Sequence, residues 1–132
     1  MPMTAQDKIN QPERPVSHAI INGLRCKCPN CGQSDLFQGF NAVKNSCDNC
    51  SQELFHHRAD DLPPYVIILI VGHVMVSILI ISMKYELFGM WTTAIGGSMI
   101  AVIMALALMR PIKGMVVGIQ WALRMHGFDK SL

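Results

Sequence analysis

Charge is scarce in this chain, and it is missing where a soluble domain would need it. Only 15% of the 132 residues are charged and 7% are aromatic, and from Tyr65 to Met109 the only charges are Lys84 and Glu86. Such a stretch cannot be the surface of a water-soluble fold, so a uniform soluble enzyme of this length is excluded. Nor does one sign dominate. The formal net charge is +2, and from Arg25 to Arg58 the bases Arg25, Lys27, Lys44 and Arg58 are balanced by Asp35, Asp48 and Glu53. The phosphate attraction that drives nucleic-acid binding therefore has no source. No apolar segment near Met1 reads as a signal peptide, and the N-terminal part is expected to stay where it is made. A Ser/His/Asp set, a phosphate-binding glycine loop and a pair of pocket carboxylates are also absent, although a site can be assembled from distant residues.

What the chain has instead is two long apolar runs. Tyr65 to Met83 contains twelve Val, Ile or Leu residues, each favouring insertion by about 0.3 to 0.6 kcal/mol, which outweighs the cost of His73. As a helix the run is about 28 Å long, close to the ~30 Å hydrocarbon layer. Met90 to Met109 has no charge and spans too. The expected elements are transmembrane helices at 63–84 and 90–109 joined by an outer loop at 85–89, an antiparallel hairpin. Of the eleven Lys and Arg residues only Lys84 stands at the loop end of the spans, and the other ten precede or follow the hairpin, which predicts cytoplasmic N and C termini. Tyr85 and Trp91 suit the outer interface, Tyr65 and Trp121 the inner one.

Within the spans, His73 sits near the midplane, where ionisable residues are functional candidates by default. Ser77 shares its face. Ala94, Gly97, Ser98, Ala101 and Ala105 form a stripe of small residues that permits close helix approach, and His73 and Ser98 are expected to face one another across the hairpin. A neutral, hydrogen-bonded histidine, a haem ligand that would need a second chain, and a proton, metal or partner contact are the readings of His73. Met99, Met104 and Met109 rotate by about 140° from one to the next and share no face, which counts against a copper site.

Residues 1–16 read as a disordered tail and residues 17–58 as a metal module. Cys28-Pro29-Asn30-Cys31 and Cys47-Asp48-Asn49-Cys50 are two C-x2-C pairs separated by fifteen residues. Two intervening residues let a tight turn aim both sulfurs at one point, and two such knuckles make a tetrahedral four-thiolate site. Zinc is the expected occupant, because its binding energy substitutes for the core that a module of this size lacks. Iron in the same cage, giving a rubredoxin-like carrier, stays open. Disulfides suit a reducing compartment poorly. Leu36, Phe37, Phe40, Val43, Leu54 and Phe55 are expected to cover a small ribbon of strands. Cys26 is either a spare thiol or a redox or exchange group.

Two further segments flank the spans. His56, His57, Asp60 and Asp61 form either a charged helix start or a second metal or proton site. After Arg110-Pro111, which should end or kink the second span, residues 111–126 read as an amphipathic helix lying in the inner interface. Lys113, Gln120 and Arg124 line its polar side and Trp121 anchors it, with docking on a partner as the alternative.

The order Gly23-Leu24, Cys28-Pro29-x-Cys31-Gly32, Leu36-Phe37, Cys47-x2-Cys50, Asp60-Asp61-x-Pro63, Gly72-His73, Arg110-Pro111-x-Lys113-Gly114 and Gln120-Trp121-Ala122-Leu123-x-Met125-His126-Gly127-Phe128 resembles a bacterial membrane family. That family is catalogued only as a domain of unknown function, number nine-eight-three, and the resemblance covers residues 20 to 128. The chain departs from the pattern at Ser51, where a glycine is usual, and at Leu62, where a small residue is usual. The resemblance implies an inner-membrane zinc-ribbon protein, with genes often near those for cytochrome oxidase biogenesis.

These readings converge on a small membrane protein with an N-terminal zinc ribbon of short strands, a two-helix transmembrane hairpin and a C-terminal interfacial helix. The expected role is non-enzymatic: an accessory or assembly protein of the bacterial inner membrane that docks through its cytoplasmic ribbon. Its partners would be the lipid bilayer and a membrane-protein complex or further copies of itself. The alternative is a redox or metal-handling membrane protein that uses the cysteine cluster and His73.

Overall fold

The computed structural model describes residues 5–6, 12–55, 62–125 and 128. In chain order the elements are helix α1 (Val16–Leu24), strands β1 (Phe37–Gln38) and β2 (Ala42–Val43), and helices α2 (Leu62–Lys84) and α3 (Met90–Ala122). His56, His57, Asp60 and Asp61 lie outside the described residues.

The two long helices are long and apolar enough to cross a membrane. Pro63 and Pro64 stand in the first turn of α2, where a missing N–H costs nothing. The Val and Ile residues that follow would favour strands in water, but in hydrocarbon a helix is the only single segment that satisfies its own backbone. Over residues 62–84 and 90–109 neither helix buries most of its apolar surface in the protein. Ile68, Leu69, Val76 and Ile80 on α2, and Ile95, Val102 and Ile103 on α3, are all more than half exposed, as lipid-facing residues are and soluble core residues are not. Tyr65, Tyr85 and Trp91 are likewise exposed.

The helices run antiparallel. The Ser82 and Thr93 hydroxyls are 3.3 Å apart near the connecting turn, and farther along Met75 reaches to within 3.0 Å of where a Cβ on Gly97 would stand. Of the predicted small-residue stripe, Gly97, Ala101 and Ala105 are at least partly buried, whereas Ala94 and Ser98 are exposed. His73 and Ser98 do not meet. Each bonds to its own helix, His73 to the Leu69 carbonyl at 2.7 Å and Ser98 to the Ala94 carbonyl at 2.7 Å. His73 is two residues from Met75 and hence about 200° around the helix from the contact with α3.

The expected break at Pro111 does not occur, and there is no separate helix at 111–126. Helix α3 continues through Pro111 to Ala122. A proline inside a helix costs about 3 kcal/mol. Beyond it, however, Ile112, Val116, Val117 and Trp121 are all buried, and each such side chain contributes about 1.5 to 3 kcal/mol, so packing outweighs the local breaker. This stretch therefore has its apolar side covered by protein. Trp121 is only 4% exposed, which removes it as an interfacial anchor.

What covers the stretch is α1 and the cysteine module. Helix α1 presents Ala19 and Gly23, four residues apart, to Gly114 and Gly118, also four apart. A Cβ on Gly114 would stand 2.1 Å from the Gly23 carbonyl oxygen, one on Gly23 would be 2.3 Å from the Gly114 oxygen, and one on Gly118 would be 2.5 Å from the Ala19 oxygen. The backbones touch because side chains are missing on both faces. Of the expected disordered tail, residues 12–15 lead into α1 and are held at the far end of α3. Arg14 donates to the Trp121 carbonyl at 2.8 Å and the Phe128 carbonyl at 3.2 Å, its guanidinium lies 4.6 Å above the Trp121 ring, and Arg124 donates to the Pro12 carbonyl. A cation placed on the last carbonyls of a helix satisfies groups that have no intrahelical partner and complements the helix dipole.

Gly114→Ala should force α1 from α3 and cost about 1 to 3 kcal/mol, read as an earlier midpoint in urea unfolding of the detergent-purified protein followed by tryptophan fluorescence. Gly96→Ala, where an added Cβ meets nothing within 4 Å, should leave the midpoint unchanged or slightly raised.

Candidate metal centre

The two knuckles are built alike. In the first, the Gly32 N–H donates to the Cys28 carbonyl at 2.9 Å; in the second, the Ser51 N–H donates to the Cys47 carbonyl at 3.0 Å. Both donors occupy the left-handed region, Gly32 at φ +66° and Ser51 at φ +59°. The departure at Ser51 thus falls where glycine is the unstrained residue. Bridges Lys27–Asp35 and Ser46–Glu53 close the base of each knuckle. Between the knuckles β1 and β2 pair antiparallel, with Phe37 opposite Val43 and Gln38 opposite Ala42. Ion pairs Lys27–Asp35 and Lys44–Asp48 are solvent-exposed and add little stability.

This frame brings Cys28, Cys31, Cys47 and Cys50 together, with all four sulfurs within 4.8 Å of one another. Cys28 Sγ is 3.7 Å from Cys50 Sγ, and Cys31 Sγ is 3.6 Å from Cys47 Sγ. Four sulfurs at ~2.3 Å from a central ion in a tetrahedron lie about 3.8 Å apart, so the cage fits a tetrathiolate-bound metal ion. The electrostatics also call for a cation. Burial pushes the Cys28 thiol up, with Cys47 and Cys50 adding to the rise, and burial raises Cys50 too. Burial opposes the Cys31 thiolate as well, but the amides of Gln33 and Ser34 and hydrogen bonds from Asn49 and Cys47 outweigh it and bring that thiol down to about 6. Four crowded sulfurs ionise together only around a positive charge.

Cys26 packs against the module but stands outside the cage. The module's core holds Leu36, Phe37, Val43 and Leu54 as expected, whereas Phe40 and Phe55 are each 55% exposed. In their place the core takes Val116 and Val117 from α3, at 4% and 0% exposure. Around that contact the Arg110 guanidinium lies 5.3 Å from the Phe37 ring centre, Lys113 Nζ donates to the Asn41 carbonyl at 2.9 Å, and the Asn22 side chain of α1 lies about 3 Å from where a Cβ on Gly32 would be.

The remaining candidates are scattered. His73, Ser77 and Ser98 are exposed on the long helices, far in sequence from the cage. Lys113, Gln120 and Trp121 belong to the packed end of α3, where Gln120 is 7% exposed, and Arg124 follows it. Sequence reasoning missed Arg14, Asn22, Val117 and the Ser82–Thr93 pair. The matched spacings Ala19-x3-Gly23 and Gly114-x3-Gly118 were the signal for the α1–α3 contact.

A cysteine-caged module fused to the end of a membrane-type helical hairpin defines the class of this protein. The chain belongs to the family described as Protein of unknown function (DUF983), which matches residues 37–121. The match takes in the second knuckle, both long helices and the packed end of α3. No curated protein and no solved structure matches the chain.

Cys47→Ser should lower the purified protein from about one bound metal ion per chain to nearly none in elemental analysis. Gly32→Ala, strained in φ and against Asn22, should cost about 1 to 2 kcal/mol, whereas Ser51→Gly should be neutral or stabilising by up to about 1 kcal/mol. Urea midpoints of the metal-loaded protein check both.

Proposed function

We propose that the chain is an accessory or assembly protein of the bacterial inner membrane, with both termini cytoplasmic and a structural zinc ion in the four-cysteine cage. It docks through its head, formed by α1, the ribbon and the end of α3, on a membrane-protein complex. Given the family resemblance, a respiratory oxidase during its assembly is the candidate complex. The observation that carries this reading is the shared core: with Val116 and Val117 buried in the metal module, the head is held rigidly at the end of a span instead of hanging from a linker. A rigid presentation of that kind lowers the entropy lost on binding.

The ribbon also carries a suitable surface. Phe40 and Phe55 are half-exposed aromatics, the residue type that anchors interfaces. Orientation follows from the basic residues at the head end of the spans, Arg110 and Lys113 nearest. Zinc is favoured because it takes four thiolates without redox chemistry and adds folding energy to a small module.

Affinity purification from native membranes tests this reading. The protein should retain a membrane complex and zinc, and Phe40→Ser with Phe55→Ser should lose the complex while keeping about one zinc per chain. Iron or copper in the cage would favour the redox alternative. Isolation without any complex, together with normal respiration in a deletion strain, would reject the docking role.

A further inference from the structure

Away from the head, α2 has a polar feature that the metal centre does not use. His73 is the twelfth of the 23 residues of α2, about 16 Å along it, and so at the centre of the hydrocarbon layer that this helix is long enough to cross. A ring at that depth reaches neither headgroup region. His73 Nδ1 lies 2.7 Å from the Leu69 carbonyl oxygen. A carbonyl only accepts, so the proton is on Nδ1, and in the neutral ring with that tautomer Nε2 carries a bare lone pair. Among the described residues nothing answers it. The Ser77 hydroxyl donates to the His73 carbonyl at 2.8 Å, and the Ser98 hydroxyl is committed to Ala94.

The surroundings of Nε2 are open. Met75 packs toward Gly97 of α3, which turns His73 to the opposite side. Beside it, a Cβ on Gly72 would meet nothing within 4 Å, and Val76, one turn below Gly72, is 57% exposed. The face therefore combines a hydrogen-bond acceptor, which hydrocarbon leaves unsatisfied, with a glycine that lets another backbone approach.

We propose that this face receives a transmembrane helix of a different membrane protein, one that presents a hydrogen-bond donor, a hydroxyl, amide or indole N–H, to His73 Nε2. Lipid tails have no donor. The same face of a second copy does not complement it either: across a two-fold axis along the membrane normal it sets acceptor against acceptor, and its Ser77 proton is already engaged. The inference goes beyond the head-docking role and stands on different residues.

A photoreactive diazirine amino acid at Val76, in the full chain in native membranes, tests it. The expected result is an adduct with another protein that falls by about tenfold or more in His73→Leu and survives in His73→Gln, whose amide oxygen restores an acceptor. The same probe at Val102, on the exposed side of α3, should label lipid alone. Nitrogen-15 solid-state spectra of the unsubstituted protein should find the proton on Nδ1 and a hydrogen-bonded Nε2. Lipid adducts only at Val76, an adduct between two copies, or an adduct indifferent to His73→Leu would each overturn the proposal. If His73→Leu does not accumulate in the membrane, the spectra decide: a proton on Nε2 or an unbonded Nε2 overturns it. Phe40→Ser in the head should leave the Val76 adduct in place, which separates failure of head docking from failure of this face.

Discussion

Val117 of α3 is fully buried in the same cluster as Leu36, Leu54 and the cysteines Cys28 and Cys47, and through it the end of a membrane-type helix becomes part of a metal module's core. A ribbon with two strands of two residues each cannot bury enough surface to fold alone. A caged ion removes part of that deficit by tying the knuckles; Val116 and Val117 remove more of it by filling the space that Phe40 and Phe55 leave. The same contact explains why α3 continues through Pro111, and why a segment with an amphipathic pattern lies under protein.

Two packing regimes meet at Arg110. Below it, α2 and α3 touch at Ser82 and Thr93 and at Met75 and Gly97, and most of their apolar side chains are exposed on helices long and apolar enough to cross a membrane. Above it, α1 and α3 approach until backbone meets backbone at Gly23 and Gly114, and polar groups are drawn in to close helix ends, as Arg14 is on the Trp121 carbonyl. The contrast follows from the solvent. Lipid tails are as apolar as leucine and would give helices little reason to associate, whereas burial from water favours contacts such as that of Ala19 with Trp121 and Ala122.

Local chemistry made much of this visible in the residues alone. Hydropathy and length find the spans because hydrocarbon permits few backbone solutions, and C-x2-C pairs declare a cage because the spacing itself aims the sulfurs. What escaped were contacts between segments far apart in sequence. The period of residues 111–126 marked a polar and an apolar side, but periodicity does not say what covers either: Gln120 of the polar side is buried and Leu123 of the apolar side is exposed. The small-residue stripe at 94–105 was likewise partly right about composition and wrong about facing, since Ala94 and Ser98 rotate away from α2. The orientation of His73 depended on where Met75 packs, a fact of the helix pair rather than of either helix.

The fifth cysteine shows how backbone geometry selects the ligands. Cys26 sits at φ +59°, a conformation that costs a non-glycine residue about 1 to 2 kcal/mol. It is held there from both sides: its N–H donates to the Gly23 carbonyl at 2.9 Å, and its carbonyl receives the Leu36 N–H at 2.9 Å. The reversal takes the chain out of α1 and into the first knuckle within four residues, placing Cys28 in the cage and Cys26 beside it. Ser51 carries the corresponding strain at the end of the second knuckle. Of the four non-glycine residues at positive φ among the described residues, Cys26 and Ser51 flank the metal site, where the fixed knuckles and the docked helix α1 over-determine the backbone. Without a bound ion that strain and the ribbon's grip on Val116 and Val117 would be released together, loosening the head while leaving the α2–α3 contacts at Ser82, Thr93, Met75 and Gly97, none of which involves the cage.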